Sequence, residues 1–243
     1  TTTKAPPSIL GEVMCLSGMS EEFLKVLPGE SEYWMKFIEN AMARVVPHFD
    51  KTSKVFMETV IDTTRGVDHT TSAGRLLNPG HSIEVSWAIF RLTKIRKSEK
   101  HLNIALEALE GALKSGWDEK KGGGITYMKD VLSKPLLDTT VVAEHKLWWP
   151  MCEALYACTL ALEITDGDGK WMKWLERIHN YIYKHFCDDV KSGGGGEWFG
   201  YLRPDGTVFN RTKGGNYKGC FHVPRALLFS IQCASRYLKK KGS

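Results

Sequence analysis

Several signatures of common enzyme classes are missing from this sequence. Its six cysteines include no Cys-x-x-Cys pair and no zinc-ligand spacing, and no His-Glu-x-x-His motif is present. The glycine run at 193–196 is not followed by Gly-Lys-Ser/Thr, so it is no P-loop. A Gly-x-Ser-x-Gly nucleophile elbow is missing too. These absences argue against zinc hydrolases, P-loop NTPases and serine hydrolases of the elbow type.

Charges of one sign are also not clustered in the sequence. Its net charge is +5, and the only basic cluster is the lysine run at 239–241, which we interpret as a solvated tail. Nucleic acid and membranes are therefore not expected partners. No transmembrane run or signal-peptide pattern is found. Since several cysteines lie in apolar helical patterns, as buried thiols do, we expect a reducing compartment, the cytoplasm.

Helical periodicity is what the sequence has in abundance. Apolar residues recur at helical spacing over much of the chain, and Pro79-Gly80 is a start signal for one of the helices. The segments with this pattern include "SEYWMKFIENAMARVV", "HSIEVSWAIFRLTKIRK", "HKLWWPMCEALYACTLALEI", "GKWMKWLERIHNYIYKHF" and "ALLFSIQCASRYL". We therefore expect an all-α protein.

Three loops that follow helices resemble one another. Each has an aromatic residue or cysteine, then an aspartate, a polar or glycine-rich turn and a short strand-like run. The aspartates are Asp50, Asp118 and Asp188, which lie 68 and 70 residues apart. Such a repeat has room for two helices and a loop, and repeats of this kind stack as an open solenoid or close into a ring. We predict a single domain, 1–243, of antiparallel helix pairs with short hairpins at 52–64, 122–130 and 196–210.

Two histidines occupy similar places, each after a loop and at the start of a helix. His81 and Glu84 share a helix face, with Trp87 one turn further, so the carboxylate could hold the imidazole in one tautomer. The alternative is a capping histidine without a chemical role. His222 has the same ambiguity, and Arg225 beside it could bind an anionic oxygen or a nearby acid.

Aromatic residues and a further acid lie near the start of another helix. Trp148 and Trp149 could stack on a sugar ring, although at least one of them fits a core position. Glu153 follows on the same helix, as part of the site or of a surface pair. Trp198 belongs to the hairpin "GEWFGYLRPDG", whose aromatics could rim a cavity or pack the hairpin itself.

Four blocks of the sequence resemble the N-acylglucosamine 2-epimerase family, the group that includes renin-binding protein. They are "NPGHSIEVSW", "KLWWPMCEAL", "GEWFGYLRPDGTV" and "KGGNYKGCFHVPR", in the order that the family has. The resemblance implies an (α/α)6 toroid of helix hairpins and an isomerase that interconverts N-acetylglucosamine and N-acetylmannosamine. It implies catalytic histidines at His81 and His222, an acidic partner at Glu84 and the motif arginine at Arg225.

The resemblance further implies a homodimer that binds an amino sugar, requires no cofactor or metal and is stimulated by a nucleotide such as ATP. One position departs from the family motif. Where Trp-Trp-Pro-His is usual, this chain has Met151 after Pro150, so the exact sugar is open. An unacetylated sugar of the cellobiose type, a carbohydrate-cleaving enzyme and a non-catalytic partner-binding protein are the alternatives.

The length of the sequence fits only part of such a ring. Six hairpin units of about 70 residues need on the order of 400 residues, and this chain of 243 holds about three and a half units. We expect it to be the C-terminal portion, with two to two and a half units missing before it. We also expect the missing part, or a second copy, to cover the open edge, and the chain to be inactive by itself.

Overall fold

The computed structural model describes residues 6–136 and 142–242. Within these ranges the chain divides into two compact units. The first unit covers 6–115 and 128–136, and the second covers 116–127 and 142–242.

The first unit has four long described helices and one short one. Its described helices are α1 (Leu10–Val26), α2 (Ser31–Val45), α3 (Ser72–Arg75), α4 (Pro79–Ile95) and α5 (Glu99–Gly116). Helix α1 packs against both α2 and α4. The α2 side chains Ile38 and Met42 pack with Leu92 of α4 in a core cluster. The amphipathic stripe expected for α2 is thus its buried face.

Helix α4 starts as its sequence predicts. Asn78 is the N-cap residue, its side-chain oxygen accepts the backbone N–H of His81 at 3.3 Å, and Pro79 fills the first helical position. These two residues fix the backbone of His81 within the first turn of the helix.

Short antiparallel strands join the loops of the first unit. They are β1 (Ser8–Ile9), β2 (Phe49–Asp50), β3 (Val55–Phe56), β4 (Thr59–Val60), β5 (Leu76–Leu77) and β6 (Lys129–Asp130). The pairs are β1 with β4, β2 with β3 and β5 with β6.

The second unit has three long described helices, one of which is buried and contacts the other two. They are α6 (Trp148–Ile164), α7 (Gly169–Tyr181), which continues into a π-helical turn at Ile182–Phe186, and α8 (His222–Lys241). Helix α6 packs against both α7 and α8. A three-stranded sheet of β7 (Lys146–Leu147), β8 (Tyr201–Leu202) and β9 (Val208–Asn210) leads into it.

The start of α6 is capped from outside the helix. No side chain caps it, but the amide of Trp148 donates to the carbonyl of Gly200 at 3.1 Å. The hairpin that contains Gly200 therefore sets where α6 begins, because it satisfies one of the amides that a helix start leaves unpaired.

The three loops that the sequence relates share one geometry. In each, the aspartate side chain accepts an amide of its own loop, and its backbone carbonyl accepts the amide of a residue with positive φ. Those residues are Lys54, Gly123 and Gly196. The residue before the aspartate then bridges antiparallel to the returning chain, in the pairs Phe49–Phe56, Trp117–Ile125 and Cys187–Trp198. Glycine provides the left-handed backbone in the second and third loops, whereas Lys54 adopts it in the first.

The hairpin predictions hold in part. The hairpin at 196–210 is confirmed by β8 and β9, and the one expected at 52–64 lies earlier, at 49–56. The prediction for 122–130 is wrong for its last residues, because β6 pairs with β5 from a distant part of the chain. No described helix is long and apolar enough to cross a membrane.

Candidate active site

His222 lies at the first position of α8, with its imidazole against a carboxylate from α6. Its Nδ1 is 2.6 Å from Oε1 of Glu153. The side chain of Glu153 is 1% exposed and that of His222 is 20% exposed. Because an ionised carboxylate can only accept, Nδ1 carries the hydrogen in this pair. In the neutral ring Nε2 then has no hydrogen and is the basic nitrogen.

Arg225 neutralises the buried carboxylate. Its Nη2 lies 2.5 Å from the same Oε1 of Glu153 and 3.4 Å from Nδ1 of His222. Its guanidinium carbon also stands 4.1 Å from the ring centroid of Phe221, a cation–π contact. A buried carboxylate needs such a partner, since an uncompensated charge in the interior is costly. His222, Glu153 and Arg225 thus form one hydrogen-bonded cluster.

Aromatic rings surround this cluster. The rings of Trp149 and His222 have centroids 5.7 Å apart and are tilted, and the ring of Tyr127 meets Trp149 edge-on at 6.2 Å. Trp148 is 2% exposed and Trp149 is 8% exposed. Trp148 packs edge-on against Tyr201 of the hairpin. Trp148 therefore fits the core position that the sequence allowed for one of the pair.

The thiol next to Glu153 is not poised for chemistry. Burial, and next the negative charge of Glu153, raise the pKa of Cys152 well above its ordinary value. The protonated thiol is a poor nucleophile, so the reactive groups of this cluster are the imidazole, the carboxylate and the guanidinium.

His81, in the first unit, is also held by a carboxylate. Its Nδ1 lies 2.9 Å from Oε1 and 3.1 Å from Oε2 of Glu58. The side chains are 26% and 12% exposed, respectively. Glu58 was not among the residues that the motifs indicated. The sequence signal that could have identified it is its place in the repeat, two residues after Phe56, which pairs with Phe49 across the first loop.

The other two predicted residues of α4 are buried on the same helix as His81. Glu84 is 7% exposed and Trp87 is 3% exposed. The guanidinium of Arg91 lies 6.0 Å from the ring centroid of Trp87. The interpretation of Glu84 as the acidic partner of His81 stays a prediction, as does a cavity shared by both histidines.

Trp198 belongs to the hairpin rather than to the cluster around His222. It is 3% exposed, bridges Cys187 through its backbone and meets Tyr183 edge-on at 6.4 Å. Next to it, the buried ammonium of Lys218 binds Glu197 at 3.0 Å and the carbonyl of Lys213 at 2.8 Å. Trp198 thus packs within the hairpin, and its role at a sugar site stays a prediction.

A family model describes the part of the chain that holds both histidines. The model for N-acylglucosamine 2-epimerase (GlcNAc 2-epimerase) matches residues 31–226. The chain belongs to the N-acylglucosamine 2-epimerase family. Among curated members, it is 30% identical over 242 residues to N-acylglucosamine 2-epimerase of Mus musculus, which covers 99% of this chain and 54% of that protein. It is 33% identical over 186 residues to the Homo sapiens protein, covering 76% of this chain and 41% of that one.

Solved structures show the fold class of this epimerase-family chain. A D-mannose isomerase superposes with a TM-score of 0.76 at 17% identity, covering 95% of this chain and 58% of that one. The cellobiose 2-epimerase of Bacillus thermoamylovorans B4167 gives 0.75 at 23% identity, covering 92% and 53%. The chain thus has the helix-hairpin fold of the (α/α)6 toroid class, as predicted. It spans about half the length of the relatives that it matches.

Proposed function

We propose that this chain is the catalytic-histidine portion of a sugar 2-epimerase that interconverts N-acetylglucosamine and N-acetylmannosamine. One observation carries the proposal. Each unit presents a histidine at the start of a helix with Nδ1 against a carboxylate, His81 with Glu58 and His222 with Glu153. Both imidazoles therefore have Nε2 as the nitrogen that can exchange a proton.

The chemistry of C2 inversion calls for two such groups. In the open-chain sugar, one neutral imidazole removes the C2 proton. The C–H electron pair forms a C1=C2 double bond and the carbonyl pair moves onto the C1 oxygen, which gives an enolate. A second, protonated imidazole returns a proton to the opposite face of C2, and the carbonyl re-forms. Histidine suits both steps because its pKa lies near neutral pH. The atoms balance without an oxidant, reductant or hydride carrier.

The groups around His222 fit the charges that this reaction creates. When His222 takes a proton, the buried Glu153 carboxylate faces the new positive charge across a 2.6 Å hydrogen bond. Arg225, 3.4 Å from the same imidazole, is a fixed cation that would stabilise the negative charge on the enolate oxygen. The tilted Trp149 beside His222 offers an aromatic face to a sugar ring.

The identity of the sugar is the finer part of the proposal. We favour the N-acetyl sugars because the family match includes both histidine blocks. Met151 is fully buried in α6, two residues before Glu153. An unacetylated sugar is the second candidate, because the motif position that is usually histidine is apolar here.

Met151→His is expected to change sugar preference or to lower the Michaelis constant, because it restores the polar residue that the family motif usually has at this position. The measurement compares kcat/KM for N-acetylmannosamine, mannose and cellobiose before and after the substitution. Met151→Leu, which keeps an apolar side chain of similar volume, is the matched control. An unchanged profile in Met151→His would show that the position is structural.

The decisive test follows deuterium from heavy water into C2 of each sugar by NMR. We expect incorporation at C2 together with the epimer. The chain is assayed alone and fused to the segment of the mouse relative that it does not match. If neither form incorporates deuterium, the proposal is overturned. Release of a reducing end from a glycoside would point instead to the carbohydrate-cleaving alternative, for which the fold also exists.

A further inference from the structure

We propose that Glu58 is a positioning residue that holds His81 in the tautomer with hydrogen on Nδ1, so that Nε2 acts as the base. This inference rests on the proposed function, because it assigns a part in the same proton transfer. Glu58 is hydrogen-bonded to Nδ1, whereas the proton is transferred at Nε2, so Glu58 acts through His81.

The contact between the two side chains defines the tautomer. Both carboxylate oxygens of Glu58 are within hydrogen-bond distance of Nδ1, at 2.9 and 3.1 Å. A carboxylate has no hydrogen to donate, so the hydrogen of this bond belongs to Nδ1. A neutral imidazole has only one N–H, and Nε2 is then left with a lone pair.

The backbone of Glu58 is fixed on both sides of its Cα atom. Its amide donates to the carbonyl of Leu76 at 3.2 Å, and its own carbonyl accepts the amide of Leu10 at 2.8 Å. Its side chain is 12% exposed. The direction in which the carboxylate leaves the backbone is thus set by two separate parts of the first unit.

The start of α4 is also hydrogen-bonded to β3, which ends two residues before Glu58. The amide of Phe56 donates to the hydroxyl oxygen of Ser82 at 3.0 Å, and both residues are fully buried. Asn78 caps the amide of His81 on the other side. Because Ser82 follows His81 and Phe56 lies two residues before Glu58, this bond holds the two side chains in register. The arrangement preorganises the imidazole.

The first experiment measures the tautomer in the 243-residue chain itself, with no activity needed. Histidine labelled with ¹⁵N in the ring is observed by NMR, and the His81 signals are assigned by their loss in His81→Ala. We expect neutral His81 to show a protonated Nδ1 and an unprotonated Nε2. The opposite tautomer in the unsubstituted chain would overturn the inference, even if no Glu58 variant folds.

The second experiment replaces the carboxylate. In Glu58→Gln, the amide group can donate to Nδ1, so we expect the share of the Nε2–H tautomer to rise. We expect kcat for C2 exchange in the active fusion to fall about 10–100-fold, as for other residues that orient a reacting imidazole, with KM nearly unchanged. Glu58→Asp, which keeps the charge, should restore part of the loss. A tautomer that stays the same in Glu58→Gln would reduce Glu58 to a structural role.

Glu21→Gln is the matched control in the same unit. The Glu21 side chain is 14% exposed, close to the 12% of Glu58, and it is ion-paired with Arg91. It should leave the His81 tautomer unchanged. The readouts also separate the two proposals. A correct tautomer without C2 exchange in any form overturns the epimerase function alone, and C2 exchange with the opposite tautomer overturns the role of Glu58 alone.

Discussion

Replacing His222 by alanine is expected to lower the rate of C2 deuterium exchange by about 10²–10⁴-fold, the usual contribution of a positioned acid–base group. The same loss is expected for His81→Ala. In the proposed mechanism each imidazole serves one face of C2, and water cannot supply a base with the same orientation. The rate is measured by NMR in the fusion that restores activity.

The double substitution gives a sharper result than either single one. If the histidines serve opposite faces of C2, removing both should abolish exchange as well as epimerisation. His179, an exposed histidine on α7 in the same unit as His222, provides the control, and His179→Ala should retain the full rate. Retention of C2 exchange in the double variant would show that neither histidine is the base.

The second large effect concerns the stability of the second unit. Lys146 of β7 is 0% exposed, and its ammonium lies 2.5 Å from Oδ2 of Asp118. Asp118→Asn keeps an oxygen for the loop amide of Lys121 but removes the charge that compensates Lys146. We expect the free energy of unfolding to fall by about 3–5 kcal/mol, the usual cost of leaving a buried charge unpaired. Chemical denaturation at pH 7 measures it.

The pH dependence of this loss gives an independent check. Burial lowers the pKa of Lys146 below its ordinary value of 10.5, and the bond to Asp118 opposes this shift. In Asp118→Asn that opposition is gone, so the folded-state pKa falls further below that of the unfolded chain. Between the two pKa values the unfolded state binds more protons, and stability therefore rises with pH. The deficit of the variant should be smaller at about pH 9 than at about pH 6.

Two variants control this result. Lys146→Met in the Asp118→Asn background removes the unpaired ammonium and should recover much of the lost stability, because apolar replacements of buried ion pairs are often well tolerated. Glu119→Gln removes the neighbouring carboxylate, which is 71% exposed and pairs with Arg177, and should change stability little. If Glu119→Gln costs as much as Asp118→Asn, burial is not the cause.

The helices could be predicted because their signals are local. Asn78 and Pro79 mark the start of α4, and the apolar stripe of α2 is the face that the first unit buries. The pairing of β5 with β6 could not be predicted, since strands of two residues show no periodic pattern and these two are far apart in sequence. Short strands of this kind are set by the helices that bring them together.

The sequence names His81, His222 and Glu153 as candidates, but it does not reveal which carboxylate contacts which imidazole. His81 and His222 stand in motifs, whereas the contact of Glu153 with His222 joins residues on two helices whose packing creates it. Glu58 lies in "VFMETV", at the end of the first of the three related loops, and the repeat marks its place but not its contact with His81. Its role depends on backbone bonds to Leu10 and Leu76, which no local pattern reveals.

The three aspartate loops share one backbone geometry but carry different side chains at one equivalent position. In each loop this position lies two residues after the bridged residue of the returning chain. The residues there are Glu58, Tyr127 and Gly200. One meets an imidazole, one meets the ring of Trp149 and one offers its carbonyl to Trp148. Because the aspartate and the left-handed residue hold the turn, this position can diversify without refolding the loop. The repeat thus provides one position that can carry an acid, an aromatic ring or no side chain while the loop keeps its backbone.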